Sequence, residues 1–245
     1  MSSPTMPKVI AHRGASASAP ENTLAAIQLA ADHGARWIEI DVNISRDGVP
    51  VLFHDDGLSR CSDGDGLVIE HSLQSLKSLD CGAWFSAQFT GERIATFDEC
   101  LDLAIECNLG INLEIKPCSG WDLPTTDAIA ELINRRTELP EIVVSSFSHV
   151  AMVRAATRLP QLSRSCLYLV APPDWQKLST EISASNIHLH ANSLLTAEQV
   201  QSYKAEGLRV YCYTVNTAEE AEALYKLGVD GVFSNYPKEL IAALQ

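Results

Sequence analysis

Eight short apolar runs recur along this chain, with an amphipathic helical pattern in most of the intervals between them. The runs are "KVIAHRG", "WIEIDVNI", "INLEIKP", "IVVSSF", "SRSCLYLV", "NIHLHAN", "RVYCYTVN" and "DGVFSN". They have the length and the side-chain types of strands. In "TLAAIQLAADHG", "FDECLDLAIECN", "TDAIAELINRRT", "HVAMVRAATRL", "TAEQVQSYKAEG" and "TAEEAEALYKLG" the apolar residues return every three or four positions, and several of these segments end in glycine, the usual helix C-cap. Eight β-α units in one chain point to an α/β fold, a TIM (β/α)8 barrel. A doubly wound open sheet is the alternative, and even spacing of the units favours closure.

The length of 245 residues suits one barrel domain, with 46% hydrophobic residues to fill its core. One segment breaks the rhythm. Residues 57–95 are too long for an ordinary connection and too regularly patterned for disorder, so an insertion subdomain over the C-terminal mouth is expected there. The opening "MSSPTMPK" lacks an export signal and no apolar stretch is long enough to span a bilayer, so no membrane anchor is expected. Seven cysteines without C-x-x-C spacing suggest a reducing compartment, by default the cytoplasm. A net charge of −13 and the lack of a basic stripe argue against nucleic-acid binding. Nothing in the sequence chooses between monomer and homodimer.

The candidate chemistry lies where the strands end. Residues two apart in a strand share a face, so Glu39 and Asp41 in "WIEIDVNI" point the same way. Two adjacent carboxylates repel unless a cation or strong donors lie between them. Beyond a turn at Asp47-Gly48 the chain returns to His54, while the first strand ends in His12-Arg13-Gly14 and the third carries Glu114 and Lys116. In a TIM barrel these positions converge on the C-terminal mouth. Glu39, Asp41 and Glu114 form an oxygen-rich set suited to one divalent cation, Mg²⁺ or Ca²⁺. Arg13 and Lys116 suit a phosphate, and His12 and His54 a general acid and base around it. The constellation suggests metal-assisted phosphodiester cleavage.

The stretches "HRGASASAPENTL", "EIDVNISRDGVPVLFHDD", "NLEIKP" and "DGVFSNYP" resemble the glycerophosphodiester phosphodiesterase family, in order and spacing along nearly the whole chain. Residues 57–95, with "LKSLDCGAWFS" and "GERIATFDE", resemble that family's insertion. The resemblance implies a TIM-barrel hydrolase that converts a small-molecule glycerophosphodiester to sn-glycerol 3-phosphate and an alcohol with a divalent cation. Carried over by motif, it implies His12 and His54 as the catalytic pair, Glu39, Asp41 and Glu114 as metal ligands, and Arg13 and Lys116 as phosphate contacts. Two positions depart from the family pattern. Tyr213 stands where the family often has tryptophan, keeping an aromatic wall for the substrate, and Ser234-Asn235 replaces the usual Thr-Asp, which puts a contact behind the site in doubt.

Other residues have plainer readings. Asn22 or Thr23 in "PENT" is expected to cap the first barrel helix, and Glu21 to compete for a place in the site. His188 and His190 share a strand face but lack a companion acid, so core or rim packing is expected. Ser145 and Ser146 lack a nucleophile elbow and suit packing or a substrate hydrogen bond. Trp84, Phe85 and Phe89 are expected in the insertion's own core, and Cys100 and Cys107 buried on one helix. Two rival functions stay open at this level: a non-catalytic barrel binding phosphodiesters or a protein, and an enolisation enzyme using the lysine as base.

Overall fold

The computed structural model describes residues 4–191 and 195–244. The elements follow in the order β1 (Val9–His12), α1 (Leu24–Asp32), β2 (Trp37–Ile44), β3 (Pro50–Leu52), α2 (Leu73–Leu76), α3 (Phe97–Glu106), β4 (Gly110–Ile115) and α4 (Asp122–Arg135). They continue as β5 (Ile142–Ser146), α5 (His149–Arg158), β6 (Ser163–Tyr168), α6 (Trp175–Glu181), β7 (Asn186–His190) and α7 (Ala197–Ala205). The chain finishes with β8 (Arg209–Tyr213), α8 (Ala218–Leu227), β9 (Gly231–Ser234) and α9 (Pro237–Ala243). The end of the expected run "NIHLHAN", Asn192, lies outside the described residues, as do positions 1–3 of the opening segment.

Eight of these strands are parallel neighbours in the order β1-β2-β4-β5-β6-β7-β8-β9, and β1 pairs with both β2 and β9. The sheet is therefore a closed TIM barrel. The remaining strand, β3, runs antiparallel to the far end of β2, pairing Val42 with Leu52 and Ile44 with Pro50. Gly48, at φ +83°, makes the connecting turn, and its N–H donates to the Ser45 carbonyl at 3.0 Å.

Every residue of β2 is buried, because its two faces meet different partners. Ile38, Ile40 and Val42 join Ile111, Leu113, Ile115, Phe97 and Leu101 in the core between strands and helices. Burying side chains of this size stabilises the fold by about 1.5–3 kcal/mol each. Glu39, Asp41 and Asn43, on the alternate positions, face away from that layer. Threonine or serine side chains cap most barrel helices: Thr23 accepts from the Ala26 N–H, Thr96 from Glu99 and Thr217 from Glu220.

Between β3 and α3 the chain builds a small unit around Val51, Phe53, Leu58, Cys61, Val68, Leu76, Cys81 and Ile94. Trp84, Phe85 and Phe89 do not belong to that core, contrary to expectation. They stack edge to face at 5.7 Å spacings on its outside, with Trp84 exposed. The space is filled instead by Phe53, two cysteines and five aliphatic side chains. Cys107 is likewise half-exposed instead of buried, because it is the C-cap of α3, whereas Cys100 inside the helix is fully buried.

Candidate active site

The β1–α1 loop begins with an unusual backbone. Arg13 has φ +56° and Gly14 φ +81°. A Cβ on Gly14 would lie 2.6 Å from the Ala26 carbonyl carbon, so only glycine lets the loop fold back onto α1. This reversal aims the Arg13 N–H at Glu39 Oε2, 3.0 Å away, and brings Arg13 Nε within 3.2 Å of Asp41 Oδ2. Arg13 Nη1 donates to Glu21 Oε1 at 2.7 Å.

Parallel register sets the rest. Asp41 lies beside Glu114, and His12 beside Glu39. Each of Glu39, Asp41 and Glu114 offers an oxygen within 4.8 Å of the others, and all three residues are buried. Burial, and then the charges of Asp41 and Glu114, push the Glu39 carboxyl well above the ordinary range. Burial with Asp41 also raises Glu114, despite Lys116. Burial pushes Asp41 the same way, but Arg13, His54, Lys116 and an Asn22 hydrogen bond outweigh it and hold Asp41 low. Three acids that cannot all ionise by themselves, with Glu39 Oε1 buried and unpartnered among the described residues, fit a hard divalent cation.

Lys116 Nζ lies 3.0 Å from Glu114 Oε1, 3.9 Å from Asp41 Oδ1 and 5.4 Å from the centre of the Phe147 ring. Burial opposes its charge, yet Glu114 and Asp41 win and raise its pKa. A lysine held as a cation is a poor base, which counts against the enolisation alternative. Tyr213 lies against the Phe147 ring and lines the same pocket as His12, Glu39 and Glu114. Its hydroxyl donates to the Tyr168 carbonyl at 2.9 Å, and its ring meets those of Phe147 and His190 edge to face.

The two histidines occupy different walls. His12 Nδ1 lies 2.7 Å from Asn235 Oδ1 and His12 Nε2 lies 3.8 Å from Glu39 Oε2. Burial and the Arg13 charge push its imidazolium down to about 4. His54, on the other side, lies beyond β3 with Nδ1 2.5 Å from Asp55 Oδ1. Arg60 from the inserted unit binds Asp55 and Glu21 together, at 2.6 and 2.8 Å. A chain of polar contacts through His54, Asp55, Arg60, Glu21 and Arg13 thus ties this unit to the first loop. With Arg60 44% exposed, such pairs contribute about 0–1 kcal/mol each and mainly fix orientation.

Some of these partners are not evident from the motifs. Thr23 is the helix cap, while Asn22 turns inward, donating from Nδ2 to Asp41 Oδ2 at 2.8 Å and accepting the Asp41 N–H at 3.0 Å. Its φ of +57°, a conformation asparagine tolerates, makes that turn possible. Arg60 lies outside the quoted motifs and carries no signal beyond its charge, whereas Asp55 lies in the motif that holds His54. Ser145 accepts from Asn112 Nδ2 and Ser146 donates to the Ile115 carbonyl, so both serines serve structural hydrogen bonds. His188 is buried against Phe233 and Tyr211, and His190 sits exposed at the rim. A larger cavity of ≈ 890 Å³ opens at the other end of the barrel, beside Arg36, Trp37, Asn108 and Glu141, away from the acids.

Fold and site together define a TIM barrel whose mouth carries a buried triad of carboxylates that could hold a metal ion, with Arg13 and Lys116 paired to it. The chain belongs to the glycerophosphoryl diester phosphodiesterase family, whose sequence profile matches residues 12–239. It is 32% identical over 233 residues to a glycerophosphodiester phosphodiesterase of Caldanaerobacter subterraneus subsp. tengcongensis, covering 95% of this chain and 96% of that protein. The structure of an Oleispira antarctica phosphodiesterase in complex with the product sn-glycerol-3-phosphate superposes with a TM-score of 0.93 at 40% identity, covering 98% of this chain and 97% of that one. A glycerophosphodiester phosphodiesterase structure from Agrobacterium tumefaciens matches with a TM-score of 0.80 at 27% identity, over 97% of this chain and 100% of that one. Among the described residues no helix is long and apolar enough to cross a membrane.

Proposed function

We infer that the chain hydrolyses glycerophosphodiesters to sn-glycerol 3-phosphate and an alcohol. The observation that carries this reading is the buried triad of Glu39, Asp41 and Glu114 with Arg13 and Lys116 hydrogen-bonded or ion-paired to it in the barrel mouth. Family membership and the product-bound relative support it.

Glu39, Asp41 and Glu114 would hold one divalent cation, Mg²⁺ or Ca²⁺, since hard oxygen donors suit both. When bound, such a cation supplies Lewis-acid polarisation of a phosphoryl oxygen. Arg13 and Lys116 neutralise the negative charge that builds up at phosphorus. His12 is neutral, with the Nδ1 proton donated to Asn235, so its Nε2 lone pair is free to accept a proton from the attacking hydroxyl. His54, oriented through Nδ1 by Asp55, is placed to protonate the departing alcohol. Tyr213 lines the substrate side of the cleft. The unit of residues 57–95 acts as an insertion subdomain of a single barrel domain, and Arg60 is its link to the catalytic loop. Seven free cysteines support a reducing, cytoplasmic setting.

The test is release of sn-glycerol 3-phosphate from glycerophosphocholine and glycerophosphoethanolamine by metal-stripped protein, with Mg²⁺, Ca²⁺ or excess chelator added. Release that requires a cation and disappears in Glu39→Ala is the expected result. Failure with every headgroup and cation would overturn the reading.

A further inference from the structure

Arg60 stands in the inserted unit between two residues of its core. Leu58 and Cys61 are buried there, and the Ser62 hydroxyl donates to the Leu58 carbonyl at 2.8 Å, so the backbone at Arg60 is pinned although its side chain is 44% exposed. The guanidinium reaches out of the unit and closes on two carboxylates at once. Its Nε and Nη2 donate to Asp55 Oδ2 and Oδ1 at 2.6 and 3.0 Å, while its Nη1 and Nη2 donate to Glu21 Oε2 and Oε1 at 2.9 and 2.8 Å. A planar fork suits this double grip, and the single ammonium of a lysine does not. Hydrogen bonds from Arg60 hold the Asp55 carboxyl well below the usual carboxylate range. Burial opposes the Glu21 charge, yet Arg60 and Arg13 keep that carboxyl low as well.

The two carboxylates lead to different groups of the site. Glu21 accepts from Arg13 Nη1 at 2.7 Å, but Arg13 is also held by Glu39 through its own N–H and by Asp41 at Nε. It keeps those two anchors if Glu21 moves. His54 has no such reserve. Among the described residues its ring makes one hydrogen bond, from Nδ1 to Asp55 Oδ1 at 2.5 Å. Without Arg60, Asp55 and Glu21 become two anions with nothing between them, and Asp55, 30% exposed, is free to turn toward water. The loss falls on His54 and spares Arg13.

We propose that Arg60 is a positioning residue for departure of the alcohol: by fixing Asp55 it sets the His54 ring, so the inserted unit governs the acid half of the reaction. The proposal rests on the phosphodiesterase reading and deepens it. As the P–O bond to the alcohol breaks, its electron pair passes to the alcohol oxygen, which takes the Nε2 proton of His54 while Nδ1 stays bound to Asp55. The attacking hydroxyl forms the new P–O bond and gives its proton to His12.

The experiment compares two esters of sn-glycerol 3-phosphate on cation-supplied enzyme. The choline ester has an alcohol that needs a proton to leave, whereas the 4-nitrophenyl ester releases a phenolate that needs none. Arg60→Met is expected to lower kcat on the choline ester by about tenfold to a hundredfold, part of the loss for removing a general acid, and on the nitrophenyl ester by about threefold at most. Asp55→Asn should show the same contrast, and combining the two should cost little more, since both act through His54. Arg60→Lys, which keeps the charge without the fork, should recover part of the rate. Affinity of Arg60→Met for sn-glycerol 3-phosphate, followed by calorimetry, should stay near native because Arg13 keeps Glu39 and Asp41. Exposed ion pairs contribute little to stability, so Arg60→Met is expected to fold. If it does not, Arg60→Lys carries the same comparison. Native rates, equal losses on the two esters, additive losses in the double variant or lost product affinity would each overturn the positioning role. If the native chain turns over neither ester, the phosphodiesterase reading falls, whereas equal losses from a native chain active on both remove the positioning role alone.

Discussion

His12 Nδ1 and Asn235 Oδ1 are 2.7 Å apart, although 223 residues separate them in the chain. Closure of the barrel makes the contact, since β1 pairs with β9 at Ala11 and Ser234. Asn235 is itself fixed, accepting from Ser16 Oγ at 3.0 Å and donating its N–H to Asn216 Oδ1 at 3.0 Å. The amide oxygen at this position can accept the Nδ1 proton as a carboxylate would, so the contact survives the replacement of the family's acid.

Asn235→Leu, which removes the acceptor, is expected to lower kcat by about tenfold to a hundredfold with little change in KM. Removing His12 altogether should cost about 10²–10⁴-fold. Asn235→Asp should recover most of the rate. Steady-state kinetics of the three variants checks the order, and a native kcat for Asn235→Leu would remove the orienting role.

The acid triad implies a stability linkage. A divalent cation that binds only the folded chain should add about 2.7 kcal/mol at a hundredfold excess over its Kd. Glu39→Gln relieves repulsion among the buried carboxyls, so its metal-free form should melt above metal-free native protein and gain less from added cation. Thermal melts with and without Mg²⁺, Ca²⁺ and chelator provide the comparison.

Gly14→Ala is expected to destabilise the fold by about 2–4 kcal/mol, from backbone strain at φ +81° together with the clash against Ala26. Because the same reversal aims Arg13 at Glu39 and Asp41, activity should fall even at temperatures where the variant is folded. Urea unfolding alongside initial rates separates the two effects.

Acid should expose the cost of burying His188. Its pKa falls from 6.5 to about 3 on burial, so between those values the unfolded chain binds a proton that the folded chain does not. Stability contributed by the neutral ring is therefore complete above about pH 6.5 and is lost as pH falls, by up to about 1.4 kcal/mol per unit. His188→Leu removes this loss. Its unfolding free energy should decline less steeply than that of the native chain between pH 7 and 5, and parallel curves would contradict the buried, neutral assignment.

The barrel and its acid triad were legible in the sequence because both depend on short-range regularities. Period-two alternation puts Glu39 and Asp41 on one face of β2 and Glu114 on the matching face of β4, with Lys116 just past its end, and parallel strands of a closed barrel bring such faces together at one end. The polar partners around the triad followed no such period. Asn22 read as a helix cap until its positive φ turned the side chain toward Asp41. The aromatic run Trp84 to Phe89 has the composition of a core, but Phe53, Cys61, Cys81 and aliphatic side chains from elsewhere in the unit occupy that space.

What the sequence determined by itself was therefore the repeating β-α architecture and which side chains point into the barrel mouth. Tertiary structure alone decided which of them meet: Asn235 with His12 across the barrel seam, and Arg60 with Glu21 across the insertion. The reason is physical. Alternation and helix periodicity fix the direction of a side chain within its own element, whereas strand register and closure fix its height and its neighbours, and these arise only when distant elements pack together.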